Sequence, residues 1–176
     1  MLISTTVLAV RREGITALGA DGQVTLGNSA IKAGAKKVRR LYSDKVLAGF
    51  AGSGADALAL LERLENRLKE HGGNLIRACV ELVKEWRLDK ALRRLEALMI
   101  VANSETMLLI SGSGDLIEPD EPILSIGSGS EQARACALAL YRHTSMSAPE
   151  IVQSCLKIAA EMCIYTNDHI TMEILK

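Results

Sequence analysis

The 176 residues carry 21 Lys+Arg against 21 Asp+Glu, with 48% hydrophobic and 24% charged side chains. That composition fits one globular domain able to bury its own core and excludes a disordered chain. The zero net charge and an aromatic content of 3% argue against a nucleic-acid binder, which would need a basic surface or a base-stacking platform; near-neutral charge also gives a lone monomer little protection against self-association.

The N-terminal run Met1 to Val10 is followed, not preceded, by its charges Arg11 and Arg12, so it does not read as a signal peptide and is too short to span a bilayer. The expectation is a soluble, cytoplasmic protein with no membrane partner. Thr5 to Val10 and Ile15 to Ala20 read as strands divided by a Glu13-Gly14 turn, Asp21-Gly22 marks a second turn, and Lys45 to Ala51 reads as a further strand. These runs are almost continuously apolar, as strands covered on both faces are.

Ser53-Gly54-Ala55-Asp56 predicts a helix start. Ala57, Leu61, Leu64 and Leu68 share the face of this helix, which His71-Gly72-Gly73 ends. Asn74 can cap a second helix with an apolar stripe of Leu75, Ala78, Cys79, Leu82, Val83 and Trp86. Strands return at Leu98 to Ala102, Met107 to Ile110 and Ile123 to Ile126, with a Gly-rich link and the Pro119 and Pro122 loop between the last two. After Gly127-Ser128-Gly129-Ser130 comes an Ala-rich helix to about Tyr141. Ser147-Ala148-Pro149-Glu150 opens a last helix whose expected buried face is Ile151, Cys155, Ile158, Ala159 and Met162, and Ile170 to Leu175 closes the chain as a strand. The order lacks regular β-α alternation, so a parallel doubly wound sheet is disfavoured. Two mainly antiparallel sheets packed together, each covered by a helix pair, would bury every apolar face.

The residues offer few ready-made sites. Cys79, Cys136, Cys155 and Cys163 form no C-x-x-C pair, have no His at zinc-ligand spacing and fall in helical patterns, so they read as free, buried thiols in a reducing compartment. His71, His143 and His169 stand singly. No phosphate-binding glycine motif is complete, and Gly127-Ser128-Gly129 reads as a tight strand-to-helix turn. The run Lys32, Lys36, Lys37, Arg39, Arg40 reads most simply as a solvated edge, the alternatives being an anionic partner, such as a nucleic acid, or a buried catalytic lysine. Arg87-Asp89-Lys90-Arg93-Arg94-Glu96 reads as a salt-bridged helix end.

Thr5-Thr6 carries chemistry only in one setting. A threonine hydroxyl needs an adjacent base, and a chain beginning at that threonine has one in its own α-amine. A lysine nearby favours the neutral amine and a carboxylate holds that lysine, roles that Asp21 and Lys37 could fill.

Six collinear blocks give this setting weight: Thr5 to Arg12, Asp21-Gly22-Gln23-Val24-Thr25-Leu26-Gly27, Lys36-Lys37-Val38-Arg39-Arg40-Leu41, Ala48-Gly49-Phe50-Ala51-Gly52, Leu95-Glu96-Ala97-Leu98 and Ile164-Tyr165-Thr166-Asn167. Together they resemble the HslV (ClpQ) family, the peptidase subunits of a bacterial, proteasome-related ATP-dependent protease, over essentially the whole chain after Ser4. The resemblance implies an α+β fold, the four-layer αββα sandwich of N-terminal-nucleophile hydrolases, and a threonine endopeptidase acting on unfolded polypeptides. It implies Thr5 as nucleophile and amine base, Asp21 and Lys37 as the supporting pair, Ser128 beside the nucleophile, and the Gly49 backbone N–H as oxyanion donor. It also implies a sodium ion held by the carbonyls of Ala160, Cys163 and Thr166. Two stacked hexameric rings and a hexameric AAA+ ATPase partner of the HslU type, which alone uses ATP, complete what it implies.

Three features depart from the family pattern. Ala20 and Ser130 stand where glycine is usual, and residues 1–4 precede the threonine, so that 5–176 would be the working domain after their removal. A chain that keeps them lacks the free amine at Thr5. The alternative reading is then a catalytically silent structural subunit of such a ring, with an unprocessed N-terminus.

Overall fold

Alternation along the first strand already divides the molecule into layers. The computed structural model describes residues 5–52, 54–90 and 97–176. Strand β1 (Thr6–Arg12) turns through Glu13 and Gly14, both at positive φ, into β2 (Ile15–Ala20). β1 sends Val7 and Ala9 to one side and Leu8 and Val10 to the other, and both sides are fully buried. With β10 (Ile123–Gly127) and β11 (Thr171–Leu175) these strands form an antiparallel sheet of order β10-β1-β2-β11.

The second sheet has the order β5-β6-β7-β8-β9, from β5 (Val38–Leu41), β6 (Val46–Ala51), β7 (Leu98–Ala102), β8 (Met107–Ser111) and β9 (Leu116–Ile117). β6 alternates as β1 does: Val46, Ala48 and Phe50 face the helices, while Leu47 faces the first sheet. Helices α1 (Gly54–Glu70) and α2 (Leu75–Leu88) cover this sheet; α3 (Ser130–His143) and α4 (Ala148–Met162) cover the other. The result is the expected αββα sandwich, with one apolar core between the sheets and one beneath each helix pair.

Helix ends follow the residues named for them. The Asn74 side chain accepts from the Arg77 N–H at 3.0 Å, and the Glu150 carboxylate accepts from the Ser147 N–H at 2.7 Å. α1 ends where the Gly73 N–H reaches back to the Leu68 carbonyl at 2.8 Å. All six apolar residues of the α2 stripe are buried. Arg63 and Arg67 of α1 pair with Glu85, and Arg63 also reaches Asp89, clamping the two helices on their outer side.

Several expectations need correction. The basic run does not form one solvated edge. Part of it lies in a hairpin of β3 (Val24–Leu26) and β4 (Ser29–Lys32), part in β5, and Lys37 is drawn inside. α4 buries Val152 and Leu156 beside Ile151, Cys155 and Ala159, leaving Ile158 and Met162 at 40% and 65% exposure. The apolar stripe is thus rotated from the expected one, because α4 meets its sheet and α3 at once. Cys163 lies just beyond α4, and Cys136 and Cys155 are not free thiols: they form a disulfide joining α3 to α4, with Cα atoms 5.5 Å apart. The expected start at Ser53, the helix-end residues Arg93, Arg94 and Glu96, the Leu95-Glu96 part of one block and residues 1–4 lie outside the described residues.

The disulfide makes a direct prediction. Alkylation of the denatured, unreduced protein should block two thiols, Cys79 and Cys163, and alkylation after reduction all four, as read by intact mass. In the native protein only Cys163 should react at neutral pH, because burial pushes the Cys79 thiol up to about 12.

Candidate active site

The site forms where β1 begins. Thr5 is 7% exposed, and its carbonyl accepts the Ser128 N–H at 2.8 Å and the Ser128 hydroxyl at 3.3 Å. This approach needs glycine at 127, which has a φ of 99°: a Cβ there would stand 1.8 Å from the Thr5 carbonyl oxygen. The Gly127-Ser128-Gly129 turn therefore serves the chain start as well as the entry to α3.

Asp21 follows β2 directly and is fully buried. Its Oδ1 accepts the Thr6 N–H at 2.8 Å and the Lys37 ammonium at 3.0 Å. Its Oδ2 accepts the N–H groups of Gln23 at 2.9 Å and Asn167 at 3.3 Å. Four donors on one buried carboxylate satisfy a charge that would otherwise be costly. Lys37 also donates to the Gln23 carbonyl at 2.6 Å. Burial lowers the Lys37 pKa from the ordinary lysine value, and the Asp21 charge opposes that shift without cancelling it.

Thr5 and Lys37 line one cavity of about 370 Å³. Val24, Ala35, Phe50, Ala57, Leu58 and Leu61 supply apolar surface, with Lys36 and Arg39 also on its lining. An apolar wall beside a hydroxyl and an ammonium can take an apolar side chain of a ligand. Thus the structure places Thr5, Asp21, Lys37 and Ser128 near one another. Gly49 lies on β6 opposite Val38, where a Cβ would stand 2.6 Å from the Val7 side chain, and is not among the cavity's lining residues; Phe50 and Lys37 are, joined by a Phe50 N–H to Lys37 carbonyl bond of 3.3 Å.

Ala20 is accommodated by packing. Its methyl lies in the core between the sheets, and Ser130 is the first residue of α3. Ala160, Cys163 and Thr166 fall in the last turn of α4 and the segment after it; the Cys163 N–H bonds to the Ala159 carbonyl and the Thr166 N–H to the Cys163 carbonyl. Sequence reasoning assigned no role to Gln23, whose amide reaches the Ile164 carbonyl at 2.9 Å, or to Asn167. Both stand in quoted blocks, but the partners that tie them to the site from a distance, Ile164 for Gln23 and Asp21 for Asn167, are 141 and 146 residues away in the chain.

A two-sheet sandwich between helix pairs, with a threonine at the head of a central strand, is the fold of the N-terminal-nucleophile hydrolases. The sequence model of the proteasome subunit family matches residues 1–175. The chain is 64% identical over 170 residues to an ATP-dependent protease subunit HslV of Aquifex aeolicus (strain VF5), covering 97% of each chain. It is 59% identical over 170 residues to one of Sulfurihydrogenibium sp. (strain YO3AOP1), covering 97% of this chain and 96% of the relative. Among solved structures, eukaryotic HslV from Trypanosoma brucei superimposes with a TM-score of 0.92 at 44% identity, over 97% of this chain and 99% of that one. The chain belongs to the proteasome subunit family and groups there with the HslV protease subunits.

Proposed function

We propose that the chain is the proteolytic subunit of an ATP-dependent protease and that Thr5, freed at its amine, cleaves peptide bonds of unfolded proteins. The observation that carries this reading is the buried Lys37–Asp21 pair, whose Asp21 is tied to the Thr6 backbone and whose Lys37 lines one cavity with Thr5.

In this mechanism the Thr5 α-amine takes the hydroxyl proton as Oγ1 attacks the substrate carbonyl carbon. The C–N bond then breaks, the proton passes from the amine to the leaving nitrogen, and an ester to Thr5 remains. Water, deprotonated by the same amine, releases the acid product and restores the hydroxyl. The Lys37 ammonium keeps the amine neutral by repulsion, and Asp21 fixes Lys37. The Ser128 hydroxyl would stay near the amine, whereas Gly49, paired with Val38 and Ile100 and off the cavity that Thr5 lines, is not placed to take the oxyanion.

A sodium ion fits the residues at the end of α4. The carbonyls at a helix C-terminus have no onward helical partners and lie at the negative end of its dipole, and the Cys163 carbonyl, which accepts the Thr166 N–H at 3.0 Å, keeps a second lone pair. Hard monovalent cations take such neutral oxygens, so the carbonyls of Ala160, Cys163 and Thr166 would hold the ion and brace the segment that carries Thr166 and Asn167.

Assembly into two stacked hexameric rings, with an HslU-type AAA+ hexamer delivering substrate and using the ATP, belongs to the same proposal. Exposed apolar side chains support it: Leu26 and Ile31 on the β3–β4 hairpin, Met162 at the end of α4 and Ile164 just after it are each more than half exposed. A cytoplasmic site of action is part of it too, and the disulfide stands against that part, since reducing compartments keep such thiols apart.

Maturation provides the test. Protein beginning at Thr5 should hydrolyse a fluorogenic peptide, and more so with the ATPase and ATP, whereas protein blocked from losing residues 1–4 should turn over at background. Equal turnover by both forms, with N-termini verified by mass, would show that the amine of Thr5 is not the base.

A further inference from the structure

We propose that Asn167 is a positioning residue for the Lys37–Asp21 pair, an inference that rests on the roles given to Thr5, Asp21 and Lys37 above. The pair is built from two separate loops. Residues 21–23 carry the carboxylate, and residues 33–37 carry the ammonium. The Asn167 carboxamide bridges them: its Oδ1 accepts the Gly22 N–H at 3.0 Å, and its Nδ2 donates to the Ala33 carbonyl at 2.9 Å. Its backbone N–H adds a bond to Asp21 Oδ2 at 3.3 Å, and the His169 N–H holds Oδ1 at 3.3 Å.

The two loops also touch directly. The Ala35 N–H bonds to the Gly22 carbonyl at 2.9 Å, and a Cβ at Gly22 would lie 2.2 Å from the Ala33 oxygen. At so close a seam, a small shift of either loop moves Lys37 relative to the chain start. Asparagine suits this place because one short planar group offers an acceptor to one loop and a donor to the other. Aspartate keeps the acceptor, loses the bond to Ala33 and sets a charge against that carbonyl. Asn167 is not part of the cavity lining, so its effect on turnover must pass through the pair.

The experiment uses the processed, assembled protein and a fluorogenic peptide over a range of pH. Asn167→Ala should lower kcat about tenfold to a hundredfold, the cost of a misplacement near 1 Å, while KM stays within about twofold because the peptide-binding wall is untouched. The acid limb of kcat/KM should move to higher pH, because an ammonium displaced from the amine no longer lowers the amine's pKa. Asn167→Asp keeps the Gly22 bond and should show the same limb shift, and it carries the test if the alanine variant does not fold. An unmoved limb in a folded variant overturns the inference, whether kcat is unchanged or falls together with stability. Thr5→Ala run alongside separates the two levels: turnover that survives it overturns the nucleophile assignment and this inference together, whereas an inactive Thr5→Ala beside an unmoved Asn167→Ala profile overturns this inference alone.

Discussion

Replacing Thr5 by alanine should reduce peptide hydrolysis to background, a loss of about a thousandfold or more, because the oxygen that attacks the peptide carbonyl is removed. The fold should survive. Thr5 precedes β1, and its bonds to Ser128 use the backbone carbonyl, which alanine also supplies. Melting temperature and assembled mass should therefore stay near those of the parent, while turnover disappears. Thr5→Ser keeps a hydroxyl and an amine and should retain measurable activity. The comparison is made with N-termini verified at residue 5; normal turnover by the alanine form would place the nucleophile elsewhere.

The second large effect is expected at Lys37. Lys37→Met removes the ammonium but fills similar space, so the Thr5 amine loses the neighbour that favours its neutral form and turnover should fall about a hundredfold to ten-thousandfold. Stability should suffer less than the roughly 3–5 kcal/mol usual when one partner of a buried pair is removed. Two observations lead there: Asp21 keeps three backbone N–H donors, from Thr6, Gln23 and Asn167, and burial costs Lys37 more than Asp21 returns, since its pKa lies below the ordinary value of 10.5. The sign follows for pH. Without the ammonium the Thr5 amine holds its proton to higher pH, so the acid limb of kcat/KM should move to higher pH in Lys37→Met. A variant that loses stability by the full amount of a broken buried pair while keeping its activity would make the pair structural.

The parts of the fold legible in the sequence are those where one face is buried against one neighbour. The α2 stripe was complete because 3.6-residue periodicity is undisturbed there, and β7 spans Leu98–Ala102 as expected because its four consecutive buried residues need no partner to be recognised. β3 and β4 gave no such signal, since Ser29–Lys32 is exposed throughout. β5 buries only Val38 and looked like part of a charge run. The disulfide joins residues 19 apart on neighbouring helices, and nothing local marks that approach. At the site, Thr5, Asp21, Lys37 and Ser128 could be named through family resemblance, whereas the work of Asn167 could not. Its partners Gly22 and Ala33 lie 145 and 134 residues away, and only the packed loops bring them together.

The two adjoining threonines are not spares for one another. Thr6 Oγ1 lies 2.7 Å from Thr166 Oγ1 and accepts the Gly129 N–H at 2.8 Å, so that hydroxyl is already committed, away from the cavity that Thr5 lines. Because Val7 and Leu8 enter different cores, β1 cannot slide by one residue to exchange them. If residues 1–4 are removed as proposed, a cut one residue too late should thus yield a folded chain headed by Thr6 and without peptidase activity. On the proposed maturation, the position of the cut would matter more than the presence of a threonine at the new N-terminus.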